Sequence, residues 1–348
     1  MSDAQASAAL RRGFVLLLCG LGLFNLLAWL CLARLALTTD ASVFGLGALA
    51  YFLGLRHGFD ADHIAAIDNV TRKLRRDGRR SLTTGLFFAL GHSTIVMLLA
   101  LALALESSQR HGAALIHALH QTLLGTTLSA AFLTGIGIVN LLVFVQLYRA
   151  FRSHADSAAS PHDPGGGQIE ALLERRGVIA RLFASVYRRI DSGRKMFFVG
   201  FLFGLGFDTA TEVALLAITA EAAGDGRFPI IGVMVFPLLF AAGMTLVDAL
   251  DGALMMRIYD WASADSLKKL FFNVVVTGLT VAMALFVGLI EWLQALSIGL
   301  ELDSPLWRAI DRLDFGKIGL SMASLMVVLW LFAWFQYRRY FSRTPGRA

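Results

Sequence analysis

The segment 81–105 reads SLTTGLFFALGHSTIVMLLALALAL and carries no acidic or basic side chain other than one histidine. About 20 apolar residues in an α-helix are enough to cross the hydrocarbon core of a bilayer, because each residue adds about 1.5 Å. The segment is therefore predicted to be a membrane-spanning helix. Five further runs clear or nearly clear the same length without a charge: 14–33, 122–148, 228–247, 270–290 and 318–337.

The composition of the whole chain points to the same class. Of the 348 residues, 57% are apolar and 16% are charged, and the mean hydropathy is +0.65. A soluble domain carries about 25% charged residues, which excludes a globular cytosolic enzyme. A disordered chain is excluded by the high hydrophobicity, and an outer-membrane barrel by apolar residues that run together instead of alternating. An all-α, polytopic membrane protein remains.

Two shorter apolar runs raise the number of predicted spans to eight. One is 41–55, which stops at Arg56, and the other is 196–207, which stops at Asp208 and resumes at 213–220. Eight spans put 24 of the 31 basic residues on one side of the membrane and six on the other, with Arg56 inside it. Because basic loops stay in the cytoplasm, both termini are predicted to be cytoplasmic. The basic residues are thus explained by topology, and nucleic-acid binding is not expected.

The longest predicted loop, 150–194, lies between spans 4 and 5 on the cytoplasmic side. A flexible break at 163–167 (DPGGG) is followed by apolar residues at helical spacing between Ile179 and Ile190, with arginines on the remaining face. This pattern predicts an amphipathic helix. Its apolar face lies either on the inner leaflet of the membrane or on the protein's own cytoplasmic surface.

Acidic residues at membrane depth are the unusual feature of the chain. Spans 2, 5 and 6 hold seven of them: Asp60, Asp62, Asp68, Asp208, Glu212, Asp248 and Asp251. Each charge at the centre of a membrane helix costs about 2.5 to 3.5 kcal/mol, so the charges need compensation. Protonation, pairing with Arg56, a water-filled cavity or a bound cation would each supply it.

Histidines beside the acids of span 2 favour the bound cation. In the stretch Arg56-His57-Gly58-Phe59-Asp60-Ala61-Asp62-His63, an ideal helix puts His57, Asp60 and His63 within one 120° arc. Asp62 points away from that arc. Either Asp62 hydrogen-bonds to a metal-binding histidine and fixes the orientation of its ring, or Gly58 loosens the helix so that Asp62 reaches the same face as the histidines. Imidazole suits late transition metals, so the stretch predicts a metal or proton site.

Three other spans carry polar groups that can meet span 2. Span 3 holds His92 in the cluster Gly-His-Ser-Thr, and span 5 holds Asp208 and Glu212 on one helical face, with Thr209 between them. Span 6 holds Asp248 and Asp251. Gly-Phe-Asp occurs at 58–60 in span 2 and again at 206–208 in span 5, which runs in the opposite direction. This short match favours an inverted repeat, as in transporters with a site at the bilayer midplane.

Taken together, these motifs resemble the nickel/cobalt transporter (NiCoT) family of cytoplasmic-membrane permeases. The resemblance rests on the His-x4-Asp-His signature of His57, Asp62 and His63, and then in order on 90–94, 206–212 and 243–252, with Ala249 where a hydroxyl residue is common. It covers residues from about 14 to 337. It implies a single transmembrane transporter domain over residues 1–348, and a span 2 signature that is essential for metal uptake and sets ion selectivity.

From the resemblance we expect Ni²⁺ or Co²⁺ to be the transported substrate, with no cofactor and no enzymatic activity. The expected metal ligands are His57, Asp60, Asp62, His63 and His92. The expected pathway or second-layer residues are Arg56, Asp208, Thr209, Glu212, Asp248 and Asp251. The chain has no Gly-x4-Gly-Lys-Ser/Thr loop, so neither direct ATP coupling nor an ATPase subunit is predicted.

Three alternatives remain open at this point. The same residues would serve an efflux permease for Ni²⁺ and Co²⁺. The resemblance to the wider group, in which exporters often carry a long His-rich loop, favours import for this chain, whose loop histidines are sparse. The same residues would also serve another divalent transition metal such as Zn²⁺ or Mn²⁺, because affinity order alone does not decide selectivity. An intramembrane metalloenzyme is less favoured, since no His-Glu-x-x-His element occurs in the chain.

Overall fold

The structure is a computed structural model that describes residues 3–107, 123–156, 189–206, 209–224, 228–262 and 267–341. All regular secondary structure in these ranges is helical, which confirms the all-α prediction. The described helices, in chain order, are α1 (Asp3–Thr38), α2 (Val43–His57), α3 (Ala61–Arg76), α4 (Thr84–Ser107), α5 (Leu123–Asp156), α6 (Met196–Phe203), α7 (Ala210–Gly224), α8 (Ile230–Val233), α9 (Val235–Ala262), α10 (Leu267–Gly299), α11 (Pro305–Asp311) and α12 (Phe315–Phe341).

Five stretches of the described helices are long and apolar enough to cross a membrane. They are Ala8–Thr38, Thr84–Glu106, Thr126–Val145, Ile230–Arg257 and Thr277–Gly299, and each overlaps a span predicted from hydropathy. Large apolar side chains point away from the protein, such as Leu16 with 72% of its surface exposed. Such surfaces are stable against lipid and not in water. The three other predicted spans coincide with α2–α3, α6–α7 and α12.

Two of the predicted spans are each built from two helices. In span 2, α2 ends at His57 and α3 begins at Ala61, because Asp60 adopts an extended backbone with φ −64° and ψ 144°. The ideal helix used to place the side chains of 57–63 is therefore interrupted at 58–60. In span 5, α6 ends at Phe203 and α7 begins at Ala210. Both breaks fall at the Gly-Phe-Asp triplets, of which Phe207 and Asp208 lie outside the described residues.

Close helix packing positions the two halves of span 2 and their neighbours. A side chain at Gly54 of α2 would collide with the backbone of Phe240 in α9, and one at Gly243 of α9 would collide with the backbone of Tyr51. Gly91 of α4 makes the same kind of approach to the backbone of α6 at Phe197. Small residues bring helix backbones this close where lipid supplies no hydrophobic driving force. The result is a tightly packed layer of α2, α4, α6 and α9.

We expect Gly91→Ala to destabilise the protein. The new methyl group would meet the carbonyl of Phe197, a backbone atom that cannot rotate away. Overpacking of this kind costs about 1–3 kcal/mol. Gly20→Ala is the matched control, because no atom lies within 4 Å of the added carbon. Thermal unfolding of both variants in detergent checks the prediction, and equal melting temperatures for the two would contradict it.

The predicted cytoplasmic loop is described only at its two ends. Helix α5 continues to Asp156, so it extends seven residues into the predicted loop, 150–156. Most of the predicted amphipathic helix lies outside the described residues. The end of the loop packs on α3, where Lys73 Nζ donates a hydrogen bond to the carbonyl of Ile190 at 2.8 Å.

Candidate metal site

Three buried histidines meet at the break in span 2. His57 is the last residue of α2, His63 lies in the first turn of α3, and His92 faces them from α4. One ring nitrogen from each lies within 4.8 Å of the other two. The Nε2 atoms of His57 and His92 are 3.1 Å apart. Two nitrogens bound to one metal ion at about 2.1 Å would be separated by roughly this distance.

Carboxylates fix the orientation of two of these rings. His57 Nδ1 donates to Asp60 Oδ2 at 2.7 Å, and His63 Nδ1 lies 3.2 Å from Asp248 Oδ2. A ring that donates from Nδ1 keeps the lone pair of Nε2 for a metal. His63 Nε2 is buried and has no hydrogen-bond partner among the described residues. Asp60 is the extended residue directly before α3, so this pair lies at the break in span 2.

A fourth donor comes from span 5. Glu212, in the first turn of α7, places Oε1 at 2.9 Å from His92 Nε2 and 3.7 Å from His57 Nε2. Thr209 donates to the other oxygen of Glu212 at 3.0 Å, and Thr211 Oγ1 lies 3.1 Å from His57 Nδ1. The carboxylate of Glu212 thus lies beside the ring nitrogens of His92 and His57. Imidazole nitrogens with a neighbouring carboxylate oxygen are a donor set that suits late transition metals.

Asp62 lies beside the histidines without a hydrogen bond to them. It lines a small polar cavity together with His57, His92 and Glu212. Its buried Oδ1 has no hydrogen-bond partner among the described residues. The cavity has a volume of about 10 Å³, about enough for one water molecule or one ion. The sequence left two alternatives open for Asp62. The break in the helix agrees with the second, in which a loosened backbone places the Asp62 side chain on the side of the histidines.

A wider cavity of about 220 Å³ lies next to the first and is lined by Asp60, Thr209, Thr211 and the segment 311–316. Thr209 lines both cavities. Arg56 stands at this cavity, and its guanidinium donates to Asp314 Oδ2 at 2.7 Å. Burial acts to raise the pKa of Asp314, but the hydrogen bonds from Arg56 and from the backbone of Lys317, together with the positive charges of both residues, outweigh it, and the net shift is downward. The charge of Arg56 is thus neutralised by a loop carboxylate and not by the acids of span 2.

Two predicted residues remain. One lies farther along α9, and the other lies outside the described residues. Asp251 follows Asp248 by one turn of α9, and one of its oxygens is buried without a hydrogen-bond partner in the described ranges. Asp208 lies outside the described residues. Sequence reasoning missed Thr211, Asp314 and Glu291. Of these three, Glu291 had the clearest signal in the sequence, since it is an acid between two apolar stretches, 270–290 and 295–300.

Comparison with known proteins agrees with the chemistry of this site. A protein-family profile described as "High-affinity nickel-transport protein" (NicO) matches residues 43–336. The chain belongs to this family. The resemblance to nickel/cobalt transporters found in the sequence motifs is thereby confirmed. Together with the five apolar helices long enough to cross a membrane, the family shows that the chain is a multi-pass membrane protein.

Relatives in the family cover most of this chain. The "Nickel transporter NicT" of Mycobacterium tuberculosis is 41% identical over 89% of this chain and 84% of its own length. The "High-affinity nickel-transport protein NixA" of Helicobacter pylori is 38% identical over 90% of this chain and 94% of its own. The "Cobalt transport protein NhlF" of Rhodococcus rhodochrous is 39% identical over 82% and 80%. No solved structure matches this chain.

Proposed function

We propose that this protein imports Ni²⁺, and Co²⁺ with it, across the cytoplasmic membrane through the cluster of His57, His63 and His92. The convergence of three buried imidazoles, two of them oriented by carboxylates, carries the proposal. Glu212 is the fourth donor. Asp60 and Asp248 orient the rings of His57 and His63, and Thr209 donates a hydrogen bond to Glu212. Asp62 and Asp208 belong to the pathway. The names of the relatives, which speak of nickel, cobalt and high affinity, support the substrate and the uptake direction.

The proposal includes eight spans with both termini in the cytoplasm, as the loop charges predict. In that topology the 220 Å³ cavity with Arg56 and Asp314 is the outer mouth. The ion passes from it to the histidines, and then along Asp248 and Asp251 of α9 toward the cytoplasm. The loop 150–194 lies on the cytoplasmic side.

The membrane potential is sufficient to drive uptake. A divalent ion gains about 4.6 kcal/mol per 100 mV when it moves inward. This corresponds to more than a thousandfold accumulation at 100 mV, so neither ATP nor a second coupled ion is required. The family that matches residues 43–336 is described as a transport protein, which favours transport over the alternative of an intramembrane metalloenzyme.

Uptake of radioactive nickel into proteoliposomes tests the proposal. With a negative interior potential, we expect the full-length protein to give saturable uptake that excess Co²⁺ blocks and that vesicles without protein lack. Competition with Zn²⁺ and Mn²⁺ ranks the selectivity. No uptake from folded protein under any imposed potential or pH gradient would overturn the proposal. Cells without the protein should be starved of nickel, and metal sensitivity in its place would indicate export.

A further inference from the structure

The small cavity beside the histidines also reaches two helices that carry none of the predicted site residues. Besides Asp62, His57, His92 and Glu212, its lining includes Thr126 and Ser129 of α5 and Glu291 of α10. Helices α5 and α10 pack against each other along their length, where Trp292 donates to Thr134 at 3.1 Å. The cavity therefore joins the histidine cluster to a second pair of spans.

Glu291 is an acidic residue inside a membrane-spanning stretch, Thr277–Gly299, with only 2% of its surface exposed. Its Oε1 accepts a hydrogen bond from the hydroxyl of Ser129 at 2.9 Å. A carboxylate at this depth costs about 2.5 to 3.5 kcal/mol on insertion scales. An apolar or amide side chain would hold α5 and α10 together at lower cost, so the acid indicates a role that needs its charge.

We propose that Glu291, positioned by Ser129, is a further metal-handling residue: it receives the divalent ion from the outer cavity and passes it to His57 and His92. This inference rests on the proposed uptake function. The small cavity supplies the route, since Glu291 and both histidines line it. Thr209 lines both cavities and marks where they adjoin.

The position of Glu291 along its helix agrees with a place before the histidines. Glu291 lies eight residues, about 12 Å, from the end of α10 at Gly299, whereas His57 lies fourteen residues, about 21 Å, from the start of α2 at Val43. In the proposed topology both of these helix ends face outward. Glu291 is then nearer the outer surface than His57.

The donor chemistry of the two places is different. Around Glu291 the cavity offers carboxylate and hydroxyl oxygens from Glu291, Thr126 and Ser129, whereas the neighbouring cluster offers imidazole nitrogens. Oxygen donors replace the water ligands of a divalent ion without selecting strongly among metals, and imidazole then favours late transition metals, Ni²⁺ and Co²⁺ among them. Glu291 thus serves the rate of transfer, while the histidines serve affinity and selectivity.

The test is Glu291→Gln, which keeps the shape and a hydrogen bond to Ser129 but removes the charge. We expect the maximal rate of nickel uptake to fall about tenfold or more, because supporting groups at metal sites contribute about 10–100-fold. Nickel binding to the purified protein, measured by equilibrium dialysis, should stay within about threefold of wild type, since the three histidines remain. Glu301→Gln, the same change at an exposed residue just beyond α10, should leave both unchanged.

A purely structural role would leave the uptake rate of Glu291→Gln within about twofold of wild type, and that result would overturn the inference. Loss of nickel binding together with uptake would also overturn it, because Glu291 would then be part of the histidine site. If the glutamine variant fails to fold, Ser129→Ala replaces it, because it removes the hydrogen bond that positions Glu291. A lowered rate with normal binding then supports the inference, and a wild-type rate overturns it. Absence of uptake by the wild-type protein would instead reject the proposed function itself.

Discussion

Replacing His63 with alanine is expected to abolish nickel uptake. The ring of His63 is completely buried, its Nδ1 faces Asp248, and its Nε2 has no hydrogen-bond partner among the described residues. The alanine removes one of three imidazole donors and leaves the buried carboxyl of Asp248 without its partner. The loss of a direct donor should exceed the roughly 10–100-fold effect of supporting groups. We therefore expect a decrease of more than about 100-fold in the initial rate of uptake.

Two further variants make this result interpretable. His63→Gln keeps much of the volume and should be equally inactive, with a melting temperature near that of wild type, because its amide is a poor metal donor. His154→Ala, in the predicted cytoplasmic loop, is the control and should transport normally. Transport by His63→Ala at the wild-type rate would remove the cluster as the site of the ion.

The second large effect is expected for Asp60→Asn and Asp248→Asn. Each carboxylate can only accept a hydrogen bond, so the ring next to it must donate from Nδ1. An asparagine amide can also donate, which allows the ring to place its proton on Nε2 and lose the lone pair that a metal requires. Both substitutions also remove a negative charge near the ion. We expect the apparent affinity for nickel to fall by about 10–100-fold in each variant.

The affinity is measured as the nickel concentration that gives half-maximal uptake, and independently by equilibrium dialysis. Asp303→Asn is the matched control, because the side chain of Asp303 is 77% exposed and lies far along the chain from the histidines. An affinity within about twofold of wild type for Asp60→Asn or Asp248→Asn would show that the carboxylate does not set the tautomer.

Much of the site could be predicted from the sequence because its residues are unusual where they occur. Histidines and acids are costly in membrane spans, so His57, His63, His92 and Asp248 stand out without any structure. The spacing of His57 and Asp60 also predicted that the two side chains meet, and they do, at 2.7 Å. The sequence did not decide between an ideal helix and one loosened at Gly58, and the extended backbone of Asp60 is visible only in the structure.

Other parts of the site had a weak local pattern or none that could reveal them. Asp314 lies in a loop like any exposed acid, yet it pairs with Arg56 across 258 positions of the chain. Glu291 is a single acid at the border of an apolar run, and Ser129 is an ordinary helix residue. Their importance depends on what they face, and hydropathy and periodicity describe only neighbours along the chain.

The sequence by itself determined the all-helical membrane class, the apolar stretches that cross the bilayer, the family and the identity of the three histidines. These follow from contiguous residues, because length, hydropathy and charge act locally on insertion and helix formation. Only the tertiary structure decided which ring nitrogens converge and which acids orient them. His63 and Asp248 are separated by 185 positions, and His92 and Glu212 by 120. Such pairs form only when the close packing of α4 and α9 on the broken span 2 fixes the distances between helices.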